Sequence, residues 1–252
     1  MKKIFLNLEQ FFTFWFVVLI FCVCAFGQKT ELIPKSAMIL ETQTVTPKRK
    51  MVLWMPTPEK HPNETPGEEY TCPDETRGSY YTGKLRVTLV NSETNRQIST
   101  LEVKDDDNSA AEIDIPYAIR GGYFYVVPNG SRTQERKPQI MALKDYNGDG
   151  KAQEFALYDK EACQGLATML IGYDEKEDKI IQYPIELSNN GKTEIIYWAD
   201  LLFWIKPISN GVWNYKIDYR GRGGTLDKYE IRYDKKKEMF VGSLTSTASE
   251  ND

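Results

Sequence analysis

The chain has 252 residues, with 32 basic against 36 acidic side chains and a formal net charge of −4 at pH 7. This balance argues against a nucleic-acid partner, which would favour a basic face. The sequence also has no basic amphipathic segment of the kind that lies on an anionic membrane, and its length allows one sizeable core or two small ones.

The N-terminal segment has the features of an export signal. Two lysines near the start are followed by an almost unbroken apolar run, Phe11 to Gly27. Ala25 and Gly27 are small residues at the two positions that a signal peptidase recognises, which predicts cleavage before Gln28. The mature chain is then secreted or periplasmic and has no membrane association. A retained membrane anchor is the alternative, although the run is somewhat short for a spanning helix.

The composition changes again after the signal. Lys50–Met55 is one strand-like run, and residues 56–76 are rich in proline, which removes backbone donors from a sheet and fixes φ. The predicted organisation is therefore a signal peptide over 1–27, an N-terminal extension with one strand and a proline-rich loop over 28–79, a β domain over 80–245 and a tail over 246–252.

From residue 80 onward the pattern is that of an antiparallel β protein. Lys84–Val90 and Gln97–Val103 alternate polar and apolar residues on either side of a turn, which predicts a half-buried hairpin. Further strand-like runs are Glu112–Ile115, Tyr123–Val127, Gln139–Leu143, Glu154–Tyr158, Thr168–Tyr173, Lys179–Leu187, Val212–Tyr219, Lys228–Tyr233 and Glu238–Val241. The fold predicted is all-β, an antiparallel sandwich or irregular barrel-like sheets, with propeller-like hairpins as an alternative. Helix candidates are Asp159–Leu166 and Tyr197–Ile205, and the second could equally be a buried strand.

The mature chain keeps two cysteines, Cys72 and Cys163. In an oxidising compartment, two cysteines usually form one disulfide. We therefore predict a Cys72–Cys163 bridge, and two buried free thiols are the alternative.

The segment from Asp145 to Glu154 carries the clearest chemical signal. Calcium takes six to eight oxygen ligands, and oxygen-bearing side chains at the first, third and fifth positions of a tight loop converge on one point. Asp145, Asn147 and Asp149 have this spacing. Gly150 permits the sharp turn that brings the carbonyl of the seventh residue to the ion. That residue is Lys151, and Gln153 or Glu154 completes the predicted shell.

A helix–loop–helix calcium site does not fit this segment. An EF-hand needs a bidentate glutamate at its twelfth position, and that position is Ala156. The flanking residues also have strand rather than helix patterns. The segment instead resembles the DxNxDG calcium loops of the FG-GAP and VCBS type, found in integrin-like propellers and in exported bacterial proteins. The resemblance covers about twenty residues, and it departs from the family at Gln153, where Asp or Glu is usual.

A hairpin turn without an ion stays open as an interpretation of the loop, and two further polar features of the chain are discounted as sites. Asn-Gly and Asp-Gly pairs also favour tight hairpin turns that bind no ion. The acidic run Asp105–Asp107 favours a solvated hairpin end over a second cation site. The only histidine, His61, lies in the proline-rich loop, where a solvated side chain is expected.

A cluster of large rings lies near the C-terminal third: Tyr197, Trp198, Phe203, Trp204, Trp213 and Tyr215. Buried, such rings would be core; exposed, they could stack on sugars or anchor a protein. The pattern favours core. The sequence therefore predicts a non-enzymatic exported β-domain with one structural calcium ion and a binding or inhibitory role toward an envelope protein or polysaccharide. A carbohydrate-binding module and an envelope glycoside hydrolase with paired carboxylates are the alternatives.

Overall fold

A computed structural model describes residues 32–61, 76–77, 80–105, 109–115, 118–119, 122–123, 139–161, 165–189, 192–196, 198, 207–209, 211–220 and 223–249. These residues form nineteen strands: β1 Met38–Thr46, β2 Arg49–Met55, β3 Glu59–His61, β4 Thr76–Arg77, β5 Tyr80–Lys84, β6 Arg86–Asn91, β7 Gln97–Glu102, β8 Glu112–Ile115, β9 Ala118–Ile119, β10 Gly122–Tyr123, β11 Glu154–Glu161, β12 Gly165–Asp174, β13 Lys179–Tyr183, β14 Ile185–Asn189, β15 Lys192–Ile196, β16 Pro207–Ser209, β17 Val212–Asp218, β18 Leu226–Asp234 and β19 Met239–Ala248. The fold is all-β, as predicted.

The strands form five sheets, in the orders β1-β2-β6-β7, β10-β9-β4, β11-β12-β13, β15-β14-β19-β18-β17-β16 and β3-β5-β8. Neighbouring strands are antiparallel except β14 and β19, which run parallel. Each of these five sheets is open and has two edge strands, so the described part of the chain favours layered sheets over the barrel-like alternative. Within that part, no helix is long and apolar enough to cross a membrane.

Side-chain alternation explains how the sheets meet. Along β17, Trp213, Tyr215 and Ile217 are buried while the residues between them face solvent, because successive side chains of a strand point to opposite faces. One apolar core takes side chains from β1, β2, β6, β8, β11 to β14 and β17 to β19. A smaller cluster of Val52, Trp54 and Val90 lies on the other face of the first sheet.

The N-terminal extension contributes more strands than the sequence predicted. The run at Lys50–Met55 is confirmed as β2, but β1 also forms in a stretch without clear periodicity, and β2 pairs with β6. The boundary predicted between residues 79 and 80 therefore does not separate two sheets. At the other end of the chain, β19 runs to Ala248, three residues into the predicted tail.

Most predicted strands of the β domain are confirmed, and the exceptions have local causes. The run Lys179–Leu187 is two strands, because Pro184 lies between β13 and β14 and has no amide proton for a ladder. The helix predicted at Asp159–Leu166 is wrong: Glu161 pairs with Gly165 at the end of the β11–β12 hairpin. Cross-strand pairing overrides the weak local helix preference there.

No named strand forms over the described residues Gln139–Leu143, although the sequence predicts one. The amides of Ile140 and Met141 donate to the Glu41 carboxylate at 2.5 and 3.2 Å. A side chain of β1 therefore satisfies donors that a strand partner would otherwise take. Of the run at Tyr123–Val127, the described residues include only Tyr123, which ends β10.

Three hairpins share one turn geometry. Asn91, Asp174 and Asp234 each accept hydrogen bonds from the amides two and three residues later. Four residues after each of them, Asn95, Asp178 and Glu238 have positive φ. The same capping geometry thus closes β6–β7, β12–β13 and β18–β19.

Candidate functional site

The Asp145 loop, residues 145–153, enters β11 through a closed pair of backbone hydrogen bonds. The Lys144 amide donates to the Glu154 carbonyl at 2.7 Å, and the Glu154 amide donates back at 3.1 Å. The two ends of the loop are therefore held together where β11 begins.

The Asp145 carboxylate organises the loop from its first position. Its Oδ1 accepts the amides of Gly148 at 2.7 Å and Asp149 at 3.1 Å, and its Oδ2 accepts the Gly150 amide at 2.9 Å. Gly148 and Gly150 have φ values of 73° and 88°, a region that glycine enters without strain. A carboxylate has about four lone-pair sites, so three amides leave acceptor capacity on Asp145.

Asn147 and Asp149 also accept backbone amides of the loop. Asn147 Oδ1 accepts the Asp149 amide at 2.9 Å, and Asp149 Oδ1 accepts the Lys151 amide at 2.9 Å. The Asn147 amide group donates to Glu154 Oε1 at 2.9 Å. The three side chains that the sequence placed at the first, third and fifth positions are thus brought together around one tight loop.

Glu154 lies beneath the loop with no exposed surface. Its Oε2 accepts the Tyr146 amide at 3.0 Å. Burial, with a further contribution from the charges of Asp149 and Asp145, raises the pKa of this carboxyl to about 8. The ionised carboxylate therefore occupies an unfavourable position unless a positive charge compensates it.

A glycine on the neighbouring strand makes room for the Glu154 side chain. Glu154 pairs with Gly172 across β11 and β12. A Cβ at residue 172 would lie 2.7 Å from the Glu154 Cγ and 2.9 Å from the Tyr183 ring. Burial, and then the charge of Glu154, raises the pKa of the Tyr183 hydroxyl. Gly172 and Tyr183 thus bound the pocket in which the carboxyl lies.

Two predicted ligands have side chains that turn away from the loop. Gln153 Nε2 donates to Glu175 Oε1 at 2.8 Å and to the Val45 carbonyl at 3.3 Å. Lys151 Nζ also pairs with Glu175. The structure therefore assigns the Gln153 side chain to a contact with β1 and the β12–β13 turn, and Glu154 is the residue directed at the loop. The Lys151 carbonyl accepts the Gln153 amide at 3.1 Å.

The loop contains oxygen donors that suit a hard cation, but these donors are not arranged as a complete coordination shell. Among the described residues, no group of three or more His, Cys, Asp or Glu side chains has the geometry to hold a metal ion. The Asn147 amide and the Lys151 carbonyl would add oxygen donors of other types, which calcium accepts. In this structure the loop oxygens face backbone amides, so an ion would have to share or replace those hydrogen bonds.

The large rings that the structure describes belong to the core. Trp198, Trp213 and Tyr215 are each 2% exposed. Trp198 and Trp213 stack at 5.0 Å with Phe240 edge-on to both rings. This confirms the core interpretation for these three residues and gives no sugar-binding platform there. Tyr197, Phe203 and Trp204 lie outside the described residues.

Some of the remaining predicted sites lie outside the described residues, and the others lie within them. The signal peptide and the cysteines Cys72 and Cys163 lie outside the described residues. Asp105 accepts both the amide and the hydroxyl of Ser109, at 2.9 and 2.7 Å, which fits the closed end of a loop. His61 ends β3 and lies 3.9 Å from Glu59.

Sequence reasoning did not identify Gly172, Tyr183 and Glu175 as neighbours of the loop. Each of them comes from a segment distant in sequence, and no local motif marks these residues. In comparisons with known proteins, no family model, no curated protein and no solved structure matches the chain.

Proposed function

We propose that this chain is an exported, non-enzymatic β-sheet protein whose Asp145 loop binds one structural calcium ion. The observation that carries the proposal is the buried carboxyl of Glu154 beside Asp145 and Asp149. Three carboxyl groups close together repel one another when ionised, and a divalent cation removes that repulsion. The resemblance to FG-GAP and VCBS loops supports the same ligand set: Asp145, Asn147 and Asp149 by side chain, Lys151 by carbonyl, and Glu154.

Calcium fits this donor set better than magnesium. Magnesium requires a near-ideal octahedron, whereas calcium accepts six to eight oxygens of mixed type in a flexible geometry. A loop that offers carboxylates, an amide and a carbonyl suits the second ion. The predicted affinity is that of extracellular modules, with Kd of about 10⁻⁴ to 10⁻³ M.

The role of the ion would be structural. Gln153 and Lys151, at the end of the loop, hold Glu175 of the β12–β13 turn, and Gln153 also reaches β1. Fixing the loop therefore fixes the ends of two sheets. A β-sheet protein stabilised in this way suits a binding or inhibitory role at the cell envelope, toward a protein or a polysaccharide. Export follows from the apolar run before Gln28.

Among the described residues, the buried carboxyl is not placed for hydrolase chemistry. Glu154 is the buried carboxyl of the described residues, and both of its oxygens accept hydrogen bonds from the loop. It has no exposed surface from which to reach a substrate. A general acid must lie within hydrogen-bond reach of the group it protonates.

Thermal unfolding of a matched pair of variants tests the proposal. Asp149→Ala removes a proposed ligand, and Asp234→Ala removes an aspartate that caps the β18–β19 turn instead of the Asp145 loop. At 10 mM calcium and Kd of about 10⁻³ M, ligand linkage stabilises the protein by about 1.4 kcal/mol, which predicts a Tm gain of about 3–6 °C. Wild type and Asp234→Ala should show this gain relative to chelator, and Asp149→Ala should not. Equal melting of wild type in both buffers would refute the calcium site.

A further inference from the structure

The turn before β17 lies directly against the Asp145 loop. Gly211 has a φ of 67°, and a Cβ at this residue would lie 2.9 Å from the Asn147 carbonyl oxygen and 3.1 Å from the Gly148 Cα. Both atoms belong to the loop backbone, which cannot move aside as the end of a flexible side chain can. The close approach therefore requires glycine for two reasons, its backbone conformation and its missing side chain.

A second contact joins the same two segments. The Tyr146 ring lies 6.1 Å from the Trp213 ring, tilted by 57°, and both side chains are buried. The Tyr146 amide is one of the donors to Glu154. The turn and the first residues of β17 thus contact the loop at its second, third and fourth positions.

We infer that Gly211 is a positioning residue of the proposed calcium site and couples ion binding to the six-stranded sheet. This inference rests on the proposed function. Asn147 contributes its side-chain oxygen only if its backbone lies where the turn now holds it. Displacing that backbone would move the third ligand away from Asp145 and Asp149. Conversely, an ion that fixes Asn147 would fix the β16–β17 turn and the packing of Trp213.

Gly211→Ala and Gly223→Ala form a matched pair that isolates the contact. Gly223 also has a positive φ, of 76°, but no atom lies within 4 Å of its hypothetical Cβ. Both variants therefore carry the same kind of backbone strain, and only the first meets the loop. Substitutions of residues that orient metal ligands typically weaken metal binding by about 10-fold to 100-fold. We expect at least the lower figure for Gly211→Ala, measured by calorimetry with calcium chloride, and an unchanged Kd for Gly223→Ala.

A measurement in chelator separates this inference from the calcium proposal. The amides of Gly148, Asp149 and Gly150 donate to Asp145, so their hydrogen exchange in chelator reports how well the turn holds the loop. Gly211→Ala should accelerate their exchange by about 10-fold, the change that 1.4 kcal/mol of lost local stability produces, while Gly223→Ala should not.

The two measurements distinguish the calcium proposal from the role of Gly211. Absence of calcium binding by wild type refutes the proposed function, and with it the coupling of an ion to the sheet. The exchange data then still show whether Gly211 holds the loop. Calcium binding by wild type, with equal Kd and equal exchange in the two variants, overturns the role of Gly211. Should Gly211→Ala fail to fold, Gly211→Asn introduces the same Cβ in a residue that enters the left-handed region more readily, and the same expectations apply.

Discussion

Glu154 lies across Gly172 in the β11–β12 pair, with its Cγ 2.7 Å from the position that a Cβ at residue 172 would take. The carboxyl occupies space that any larger residue at 172 would fill. The absence of one side chain on β12 thus permits a fully buried acid on β11, directly beneath the loop that carries three more oxygen donors.

Gly172→Ala should therefore destabilise the protein. The new methyl group would meet both Glu154 and the Tyr183 ring, and overpacking of this kind costs about 1–3 kcal/mol. Gly83→Ala is the control, because the nearest atom to its Cβ lies at 3.3 Å and a small shift relieves the contact. Urea unfolding should show the larger loss for residue 172. Equal losses would mean that the carboxyl moves aside at little cost.

Without calcium, stability should fall as pH rises toward 8. The Glu154 carboxyl has a pKa of about 8 in the folded chain and about 4.3 in an unfolded chain. Folding therefore takes up a proton between these values, and stability falls with a slope of up to about 1.4 kcal/mol per pH unit. Denaturant unfolding in chelator at pH 5, 6, 7 and 8 measures the slope.

Glu154→Gln supplies the control for this pH dependence. The amide cannot ionise, so the contribution of residue 154 should disappear from the slope between pH 5 and pH 8. The variant should also lose the Tm gain with calcium. A variant slope as steep as that of wild type would show that another group is responsible.

The ion pair between Arg49 and Asp178 should stabilise the fold near neutral pH. The guanidinium donates to both carboxylate oxygens at 2.8 Å, and the Tyr173 hydroxyl donates at 2.8 Å as well. The hydrogen bond from Arg49 is the main cause of the lowered pKa of Asp178. Stability from this group is therefore complete above the unfolded pKa and is lost as pH falls through the lower folded value.

Asp178→Asn tests the pair while keeping the positive φ at this residue, which asparagine tolerates. The expected loss is about 0.5–1 kcal/mol at pH 7, since the carboxylate is partly exposed, and it should shrink as pH falls below the unfolded pKa of about 3.9. The pair of Arg232 and Glu230 provides the control, because Arg232 is 63% exposed and Arg49 only 21%. Glu230→Gln should therefore leave the unfolding free energy unchanged. If the two substitutions change the unfolding free energy equally, the Arg49–Asp178 ion pair does not stabilise the fold as predicted.

Cys72 and Cys163 are predicted to form a disulfide in the exported protein. Non-reducing peptide mapping should recover a cross-linked pair containing both residues, and reduction should lower the unfolding free energy by up to about 4–5 kcal/mol in the chain-entropy model. Labelling of both thiols in the unreduced, denatured protein would contradict the prediction.

Local patterns were sufficient for most of the fold. Strands with period-two alternation, such as Val212–Asp218, lie within one or two residues of their predicted bounds. β1 has no comparable signal, because its half-buried positions include the polar residues Glu41 and Gln43. The β11–β12 hairpin depends on pairing with a partner strand that a local pattern does not contain.

The candidate site was also predictable only in its local part. The spacing of Asp145, Asn147 and Asp149 is local, and the structure brings these three side chains together. The choice between Gln153 and Glu154 depended on which face of β11 turns toward the loop, and Gly211 depended on a contact between segments more than sixty residues apart. Spacing within one loop cannot predict either feature.

Calorimetric titration of wild type with calcium chloride shows whether the Asp145 loop binds calcium. We expect binding of one ion per chain with Kd of about 10⁻⁴ to 10⁻³ M, and no comparable binding by Asp149→Ala. A titration to several times the upper Kd that releases no heat, together with an unchanged Tm, would contradict the claim.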